Sequence, residues 1–463
     1  MDGNDLVASF VANTRYETLP PEVQRKAKLC LLDNLGATLS GTLTAISDIT
    51  AAYAAQAWKG DEATILLRGL HTTAAGAAFA NGYAANGLDI DDIGRWTRGH
   101  PGAQLFPTAL AVAEKLDASG AEMLAALVVG YEVAIRAARC WHHHHDPFYQ
   151  CCGSWGSVAN AAVAARLMGL GCDQIKHALG IAEYHAPNLP MMRDIDHPTM
   201  VKHGIGWGAM NGVVSAELAV RGFTGIPSLL GFPEYLGWIS TIGHEYLTLS
   251  AITFKRYAAC GWGHPSLAAA QKVMRDNAIA VADIAHIRVE GFHETTRLWV
   301  RHPRTEEEAQ FSVAWPLAAL LIDGEIGPEQ MLPQRYGDPE ILALADKVEL
   351  VESSQIDALY RPVFDGADDP DACAAAAVEI TLNSGTRYNS GIVRGEEGPG
   401  SFWSEEEVER KFRRFTGYVL EQERIDKLVA MVWDCDSLPS VRQLTALVAS
   451  ATDPLTLRGS RGA

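Results

Sequence analysis

The chain has 463 residues, of which 48% are hydrophobic, and this length predicts two or three domains with a sizeable core. Its 56 acidic residues outnumber its 38 basic ones and give a formal net charge of −18. No stripe of basic residues interrupts this charge, so nucleic acid is excluded as a partner. An anionic small molecule can still bind where a few Lys, Arg or His side chains reverse the field inside a cleft.

The sequence lacks the marks of secretion and membrane insertion. Its first residues include Asp2, Asp5 and Glu17 instead of a basic segment followed by an apolar run. No stretch reaches the roughly 18 to 20 apolar residues that a membrane crossing needs, so no membrane association is expected. The eight cysteines lack the CxxC or related spacing of zinc sites. We therefore expect a cytoplasmic protein with reduced thiols.

The first part of the chain has a helical pattern. Residues 20–39 begin with prolines and then place apolar residues three and four apart, which predicts a helix. Segments rich in Ala and Gly continue this pattern, and no strand-like alternation precedes residue 280. Residues 1–265 are therefore predicted to form a helical bundle.

The pattern changes after His264. β-Branched residues alternate or cluster at 285–292, 347–353 and 376–393, which predicts strands, and the residues at 383–385 supply the turn of a hairpin. Between these strands, acids followed by an apolar stripe predict one helix over 305–326.

Residues 266–395 are therefore predicted to form a compact α+β unit. Ser404 and the glutamates after it predict a helix that rejoins the bundle, which assigns residues 396–463 to the first domain. The predicted fold is mainly α, with a large all-helical domain built from both chain ends plus a smaller α+β domain.

Several motifs that suggest a metal or a phosphate do not support one. Four consecutive histidines, 142–145, cannot surround one ion, because consecutive side chains diverge on a helix and alternate on a strand. GFHETTR has Arg297 where a zincin places its second histidine. The glycines between 204 and 212 follow no strand, so close helix packing explains them better than phosphate binding. No metal and no cofactor are expected.

Three segments concentrate ionisable residues beside turns. The first, LDIDDIGRWTRGHPG, is also explained by a solvated loop that caps a helix. Two further clusters shift the balance towards a functional site, because both set His and Lys beside glycine-rich turns. These are TMVKHGIGWG, with Lys202 and His203, and TFKRYAACGWGHPS, with Lys255, Arg256, Cys260 and His264.

The order of these segments resembles the MmgE/PrpD family. LDIDD and GHP are followed by GSWGSVANAAVAARLMGLG, KHGIGWGAMNG, FKRYAACGWGHP and RTEEEAQFSVAWPLAALLIDGEI, and the resemblance covers nearly the whole chain. It implies a helical domain with an α+β lid, and a homodimer. It also implies activities such as 2-methylcitrate dehydration, cis-aconitate decarboxylation or iminodisuccinate epimerisation. Each of these moves a proton beside a carboxylate without a cofactor.

The resemblance also implies site residues. The family's loop aspartate falls on Asp89, its GHP histidine on His100 and its late active-site histidine on His264. The substrate-binding lysine falls on or next to Lys202. We predict that His264 or His100 is the general base and that Asp89 orients an imidazole. Lys202, with Arg98, is predicted to hold a substrate carboxylate. Further substrate contacts are predicted for Tyr149, Gln150, His203 and Ile93.

Departures from the family pattern bear on the reaction. Gln150 stands where decarboxylase and epimerase relatives have a histidine, and Ile93 where the decarboxylase has a threonine. Ala258 and Gly261 replace the Pro and Arg of the FKxYPxCR pattern. The sequence therefore predicts a hydro-lyase acting on a small di- or tricarboxylic acid. An epimerase or isomerase, a decarboxylase and a catalytically inactive binding homologue remain the alternatives.

Overall fold

The chain is mainly helical in a computed structural model that describes residues 2–145, 149–365, 369, 371–395 and 403–450. Its helices are α1 Gly3–Asn13, α2 Pro21–Gly41, α3 Ala45–Ala57, α4 Ala74–Ala85, α5 Gly102–Lys115, α6 Gly120–His144, α7 Cys152–Leu167, α8 Cys172–Tyr184, α9 Met192–Asp196, α10 Ile205–Val220, α11 Leu236–Ile239, α12 Thr248–Ala251, α13 His264–Asn277, α14 His293–Thr296, α15 Glu306–Gln310, α16 Ala314–Asp323, α17 Pro328–Met331, α18 Pro339–Ala345, α19 Ser354–Phe364, α20 Glu405–Thr416, α21 Gln422–Trp433 and α22 Arg442–Val448. Its strands are β1 Ala63–Ile65, β2 Leu70–Thr72, β3 Ile93–Gly94, β4 Ile252–Thr253, β5 Ile284–Gly291, β6 Val348–Glu352, β7 Ala375–Leu382, β8 Arg387–Asn389 and β9 Val393–Arg394.

The N-terminal helices pack closely around α7 and α10. Helix α7 packs on α6, α8 and α10, and every residue from Cys152 to Ala165 is buried. Small residues allow this approach, because a Cβ at Gly212 would lie only 2.6 Å from the backbone nitrogen of Ala161. Close packing is thus a sufficient reason for that glycine.

The end of the chain packs on its beginning. Helices α20 and α21 both contact α2, and the side chain of Phe412 lies against Gly36. The Lys411 ammonium donates to the carboxylate of Asp33 and to the backbone oxygen of Ile90, 2.7 Å away. Ser404 caps α20 in a capping box, as the sequence predicts.

The α+β part contains one five-stranded sheet with the order β6-β5-β7-β8, in which β9 also pairs with β7. Strands β5 and β6 are parallel, whereas β7 is antiparallel to β5, β8 and β9. The predicted hairpin is present, with Gly385 at a φ of 86° in its turn. Helix α13 packs on this sheet and on α16.

Two sequence expectations were wrong, and both errors concern the site. Short strands do occur before residue 280, and the pairing of β3 with β4 sets Ile93 opposite Thr253. The single helix expected over 305–326 is divided into α15 and α16. At the break, the Ser312 hydroxyl donates to the backbone oxygen of Val300 and accepts the backbone N–H of Trp315. Gln310 and Phe311 lie at this break.

No single helix among the described residues is long and apolar enough to cross a membrane. Helices α2 and α3 meet this criterion of length and composition together, although they are bent by 91° at their junction.

Breaking the buried contact between α20 and α2 should destabilise the protein. Lys411→Met leaves the Asp33 carboxylate without its ammonium partner, and loss of one member of a buried pair costs about 3–5 kcal/mol. Lys427→Met is the matched control, because Lys427 forms an exposed ion pair with Glu423, a type worth at most about 1 kcal/mol. Thermal unfolding should show a large loss for the first variant only. Equal melting temperatures for the two would contradict this role of Lys411.

Candidate active site

A partly enclosed cavity lies where the loop between α4 and α5, the segment before α10 and the segment before α13 meet. Helix α19 of the α+β part closes one side of it through Tyr360 and Val363. The remaining lining residues are Ile93, Gly94, Arg95, Arg98, Gly99, His100, Tyr149, Met191, Ile195, His203, Cys260, Gly261, Trp262 and Phe311.

The loop after α4 is anchored by Asp92. One oxygen of this carboxylate accepts the backbone N–H of Gly102 at the start of α5, at 2.8 Å, and the other accepts the hydroxyl of Tyr131 and, at 3.0 Å, the amide of Asn34. Burial raises the pKa of Asp92. Asp92 therefore has a structural role and fixes the backbone that carries the neighbouring acids.

His100 lies between the other two acids of the loop. Its Nδ1 is 2.9 Å from Asp91, and its Nε2 is 3.5 Å from Asp89. The carboxylate of Asp91 places the ring proton on Nδ1 and leaves Nε2 as an acceptor. Burial lowers the pKa of His100, although Asp91 opposes this shift. The ring is therefore neutral at pH 7 and can accept a proton.

Lys255 neutralises Asp89, the acid beside Nε2 of His100. Its buried ammonium donates to Asp89 at 2.6 Å and lies 4.0 Å from Asp91. Burial alone would raise the pKa of Asp89, but Lys255, followed by His100, holds it far below its usual range. Burial also opposes the charge on Lys255, yet the two acids raise the pKa of its ammonium.

Asp89, Asp91 and His100 are also the one group in the described part of the chain whose atoms are close enough to share a metal ion, within 4.8 Å. The ammonium of Lys255 already supplies a positive charge to this cluster. The residues therefore suit an internal ion pair at least as well as a metal.

Lys202 and His203 lie on a short turn before α10. Lys202 is fully buried and is not among the described residues that line the cavity; its ammonium donates to Gln310 at 2.6 Å and lies 5.3 Å from the ring of Phe311. His203 does line the cavity, and its ring stacks on that of His100 at a centroid distance of 5.0 Å. The turn thus places the imidazole of His203 in the cavity wall and the ammonium of Lys202 behind that wall.

Arg98 brings a positive charge to the cavity itself. Its guanidinium lies 5.0 Å from the ring of Tyr149 and 5.2 Å from that of Phe364, and it donates to the backbone oxygen of Phe364. The Tyr149 hydroxyl donates to the backbone oxygen of Arg98. Burial lowers the pKa of Arg98, but an arginine stays charged at neutral pH.

Ile93 lines the cavity as an apolar wall, whereas Gln150 lies behind it. The backbone N–H of Gln150 donates to Nδ1 of His142 at 3.2 Å, and Nε2 of the same histidine is 3.0 Å from the backbone oxygen of Thr97. Burial lowers the pKa of His142 well below its usual value. This first histidine of the 142–145 run is thus a neutral brace between two segments of the site.

His264, like Lys202 and Gln150, is not among the described residues that line the cavity. It is buried at the start of α13, where its Nε2 lies 3.0 Å from the backbone oxygen of Ala259 and its ring meets that of Tyr257 edge to face. Within the described residues, the members of this segment that line the cavity are Gly261, Trp262 and Cys260. Burial raises the pKa of the Cys260 thiol to about 12, so Cys260 is a neutral wall residue.

Sequence reasoning missed three contributors. Asp194 lies 2.7 Å from Nδ1 of His203, and Gln310 binds Lys202. Phe311 forms part of the cavity wall. Asp194 lies in a segment without a motif, and the other two lie in what looked like a continuous helix. The serine at 312, which can turn back to the backbone, is the one signal that could have indicated the break.

Comparisons with known proteins match most of the chain to one family. Residues 5–245 match the MmgE/PrpD N-terminal domain and residues 257–435 match the MmgE/PrpD C-terminal domain. Human cis-aconitate decarboxylase is 26% identical, with 96% of this chain and 94% of the relative covered. A cis-aconitate decarboxylase-like protein, oryM, of Aspergillus oryzae is 24% identical with 96% of each covered, and the cis-aconitate decarboxylase of Aspergillus terreus is 22% identical with 96% and 95% covered.

The pKa of His100 should shift in opposite directions when the neighbouring ammonium of Lys255 or the neighbouring carboxylate of Asp91 is removed. Lys255→Met removes a positive charge that disfavours the imidazolium and should raise the pKa of His100, whereas Asp91→Asn removes the carboxylate that favours it and should lower that pKa. Side-chain ¹⁵N NMR titration of His100 measures both, with the exposed Lys272→Met as control. Shifts of the same sign in the two variants would contradict the proposed electrostatics.

Proposed function

The chain belongs to the MmgE/PrpD family of enzymes, and we propose that it is a cofactor-free lyase acting on a small di- or tricarboxylic acid. The observation that carries this proposal is the neutral imidazole of His100, held by Asp91 in a cavity that also receives the guanidinium of Arg98. A base and a cation in one partly enclosed space suit the removal of a proton from a carbon beside a carboxylate.

The proposed reaction is an elimination of water. Nε2 of His100 takes the proton from the carbon next to a carboxylate, and negative charge grows on that carboxylate. Arg98 binds and stabilises this charge, and Lys202 adds positive potential from behind the wall. Asp89, 3.5 Å from the same nitrogen, stabilises the imidazolium that forms. The carbon–oxygen bond then breaks, the double bond forms, and the hydroxyl leaves as water once it has been protonated.

Loss of carbon dioxide is the second candidate reaction, and the names of the curated relatives favour it. A carbon–carbon bond then breaks, and a proton is delivered to carbon instead of being removed from it. The apolar wall that includes Ile93 and Phe311 would disfavour the charge of the departing carboxylate, as this reaction requires. Both reactions use the same cavity and the same class of substrate.

A panel of acids tests the proposal. Citrate, 2-methylcitrate, malate and cis-aconitate are incubated with the protein in D₂O, and mass spectrometry follows loss of water, loss of carbon dioxide and uptake of deuterium. Water loss with a new conjugated double bond supports the first reaction, and release of carbon dioxide supports the second. Deuterium uptake into recovered acid without either loss would indicate an epimerase. Absence of all three would contradict a lyase of this substrate class.

Two matched variants test the identity of the base. His100→Asn should lower kcat/KM by about 10²–10⁴, the usual contribution of a general base. His264→Asn should have a much smaller effect, because His264 lies outside the cavity lining that the structure describes. Circular dichroism checks that each variant is folded. The reverse order of activity losses would reject His100 as the base.

We propose that residues 266–395 act as a lid on a helical domain formed by residues 1–265 and 396–463. Tyr360 and Val363 line the cavity from the lid side, and Phe364 accepts a hydrogen bond from Arg98. Exclusion of water by such a lid would strengthen the attraction between Arg98 and a carboxylate.

We also propose that the protein is a homodimer. Helices α8 and α10 and the segments beside them carry exposed apolar side chains around a groove, and apolar surface of this kind often marks an interface. The exposed residues are Tyr184, Leu189, Met200, Val201, Trp207, Val220, Phe223 and Ile226. Light scattering should give about twice the chain mass of 50.0 kDa. Trp207→Glu should shift this mass towards that of the monomer, and a monomeric wild type would contradict the dimer.

A further inference from the structure

We infer that His203 is the second proton-transfer group of this site and gives a proton to the leaving group while His100 takes one from carbon. This inference rests on the proposed function, because an elimination needs an acid as well as a base. The sequence predicted only a substrate contact for His203.

The first support is the relation of the two imidazoles. Both line the cavity, and their rings are parallel within 11° at a centroid distance of 5.0 Å. Each has a carboxylate at Nδ1, since Asp91 lies 2.9 Å from that atom of His100 and Asp194 lies 2.7 Å from that atom of His203. We assign proton transfer to Nε2 of each ring, because a carboxylate occupies the Nδ1 side of both.

The second support is the way in which His203 is held. Asp194 Oδ2 accepts the backbone N–H of His203 at 2.6 Å, so the same oxygen fixes the main chain and faces the ring. The contact between Asp194 Oδ2 and Nδ1 of His203 is close but is not aligned as a hydrogen bond, so it is an electrostatic contact. The backbone of this turn is left-handed, with φ of 39° at Lys202 and 59° at His203. Such backbone is costly outside glycine and recurs at functional positions.

The third support is charge. Burial alone would raise the pKa of Asp194, but His203 holds it below its usual value, so the carboxylate is ionised beside the ring. An ionised carboxylate at this distance stabilises a protonated imidazole. His100 is neutral because it is buried and because Lys255 lies nearby.

Lys202 is less suited to the acid role. Its ammonium is committed to Gln310 at 2.6 Å, and it is not among the described residues that line the cavity. Gln310 is itself fixed by a bond from its amide to the backbone oxygen of Gly87, at 2.9 Å.

The proton balance closes without a co-reactant. The carbon proton goes to Nε2 of His100 and its electron pair forms the double bond. The carbon–oxygen bond breaks, and the hydroxyl takes the proton of Nε2 of His203 and leaves as water. Afterwards His100 loses a proton to solvent and His203 gains one, which restores both rings.

The test separates catalysis from binding. With the panel acid that the wild type converts fastest, His203→Asn should lower kcat by at least about 10² with little change in KM. Added imidazole should restore part of kcat in this variant. His286→Asn is the control, because this histidine lies exposed on the sheet beside Glu349. A raised KM with unchanged kcat would overturn the inference and leave the sequence prediction of a binding residue.

A second arm needs no turnover. Isothermal titration calorimetry measures the binding of tricarballylate, a saturated tricarboxylate probe. His203→Asn should bind this probe nearly as tightly as the wild type does, because the inference assigns His203 to proton transfer and not to substrate binding. A large loss of affinity in His203→Asn would overturn the inference. A wild type that converts no panel acid rejects the proposed reaction, and with it the role of His203. An active wild type with an equally active His203→Asn rejects the inference alone.

Discussion

The site depends on the burial of three acids within four residues, Asp89, Asp91 and Asp92. A carboxylate removed from water must be paired or hydrogen-bonded, or its charge is too costly to keep. Each of the three acids is stabilised by different partners. Asp92 is held by the start of α5 and by a tyrosine, Asp91 by His100 and Asp89 by Lys255. Lys255 lies in the segment before α13. Its ion pair with Asp89 therefore joins that segment to the loop between α4 and α5.

A second constraint is the backbone. Seven non-glycine residues of the described chain have positive φ, and four of them are Asp89, Arg98, Lys202 and His203. Each such residue costs on the order of 1–3 kcal/mol and persists only where the surroundings enforce it. Around this site the buried ion pairs and the packed helices α4, α7 and α10 provide that enforcement. The strained backbone thus lowers stability but places two imidazoles and a guanidinium around one cavity.

The sequence could indicate much of this but not all. Long periodic segments predicted the helices and the strands of the sheet, and the capping pattern at Ser404 placed α20 correctly. The pair β3–β4 has only two residues in each strand, too few for any alternation to show. Asp89 was predicted to orient an imidazole, but Asp91 is the acid that contacts Nδ1 of His100, whereas Asp89 lies 3.5 Å from Nε2. His264 was predicted as a base because the family's late active-site histidine falls on it, but Cys260, Gly261 and Trp262 are the residues of this segment that line the cavity. The spacing of residues along the chain does not reveal which of them line a cavity. That depends on the direction in which the turn at 261–263 enters the helix.

The most direct test of the account is a crystal structure of the protein with tricarballylate, the unreactive tricarboxylate. The account predicts that one carboxylate of this ligand binds the guanidinium of Arg98. It also predicts that a carbon beside a carboxylate lies within reach of Nε2 of His100, and that the neighbouring carbon, which carries the hydroxyl in a substrate, faces Nε2 of His203. A ligand bound in this cavity but away from these two nitrogens, or bound beside His264 instead, would contradict the account.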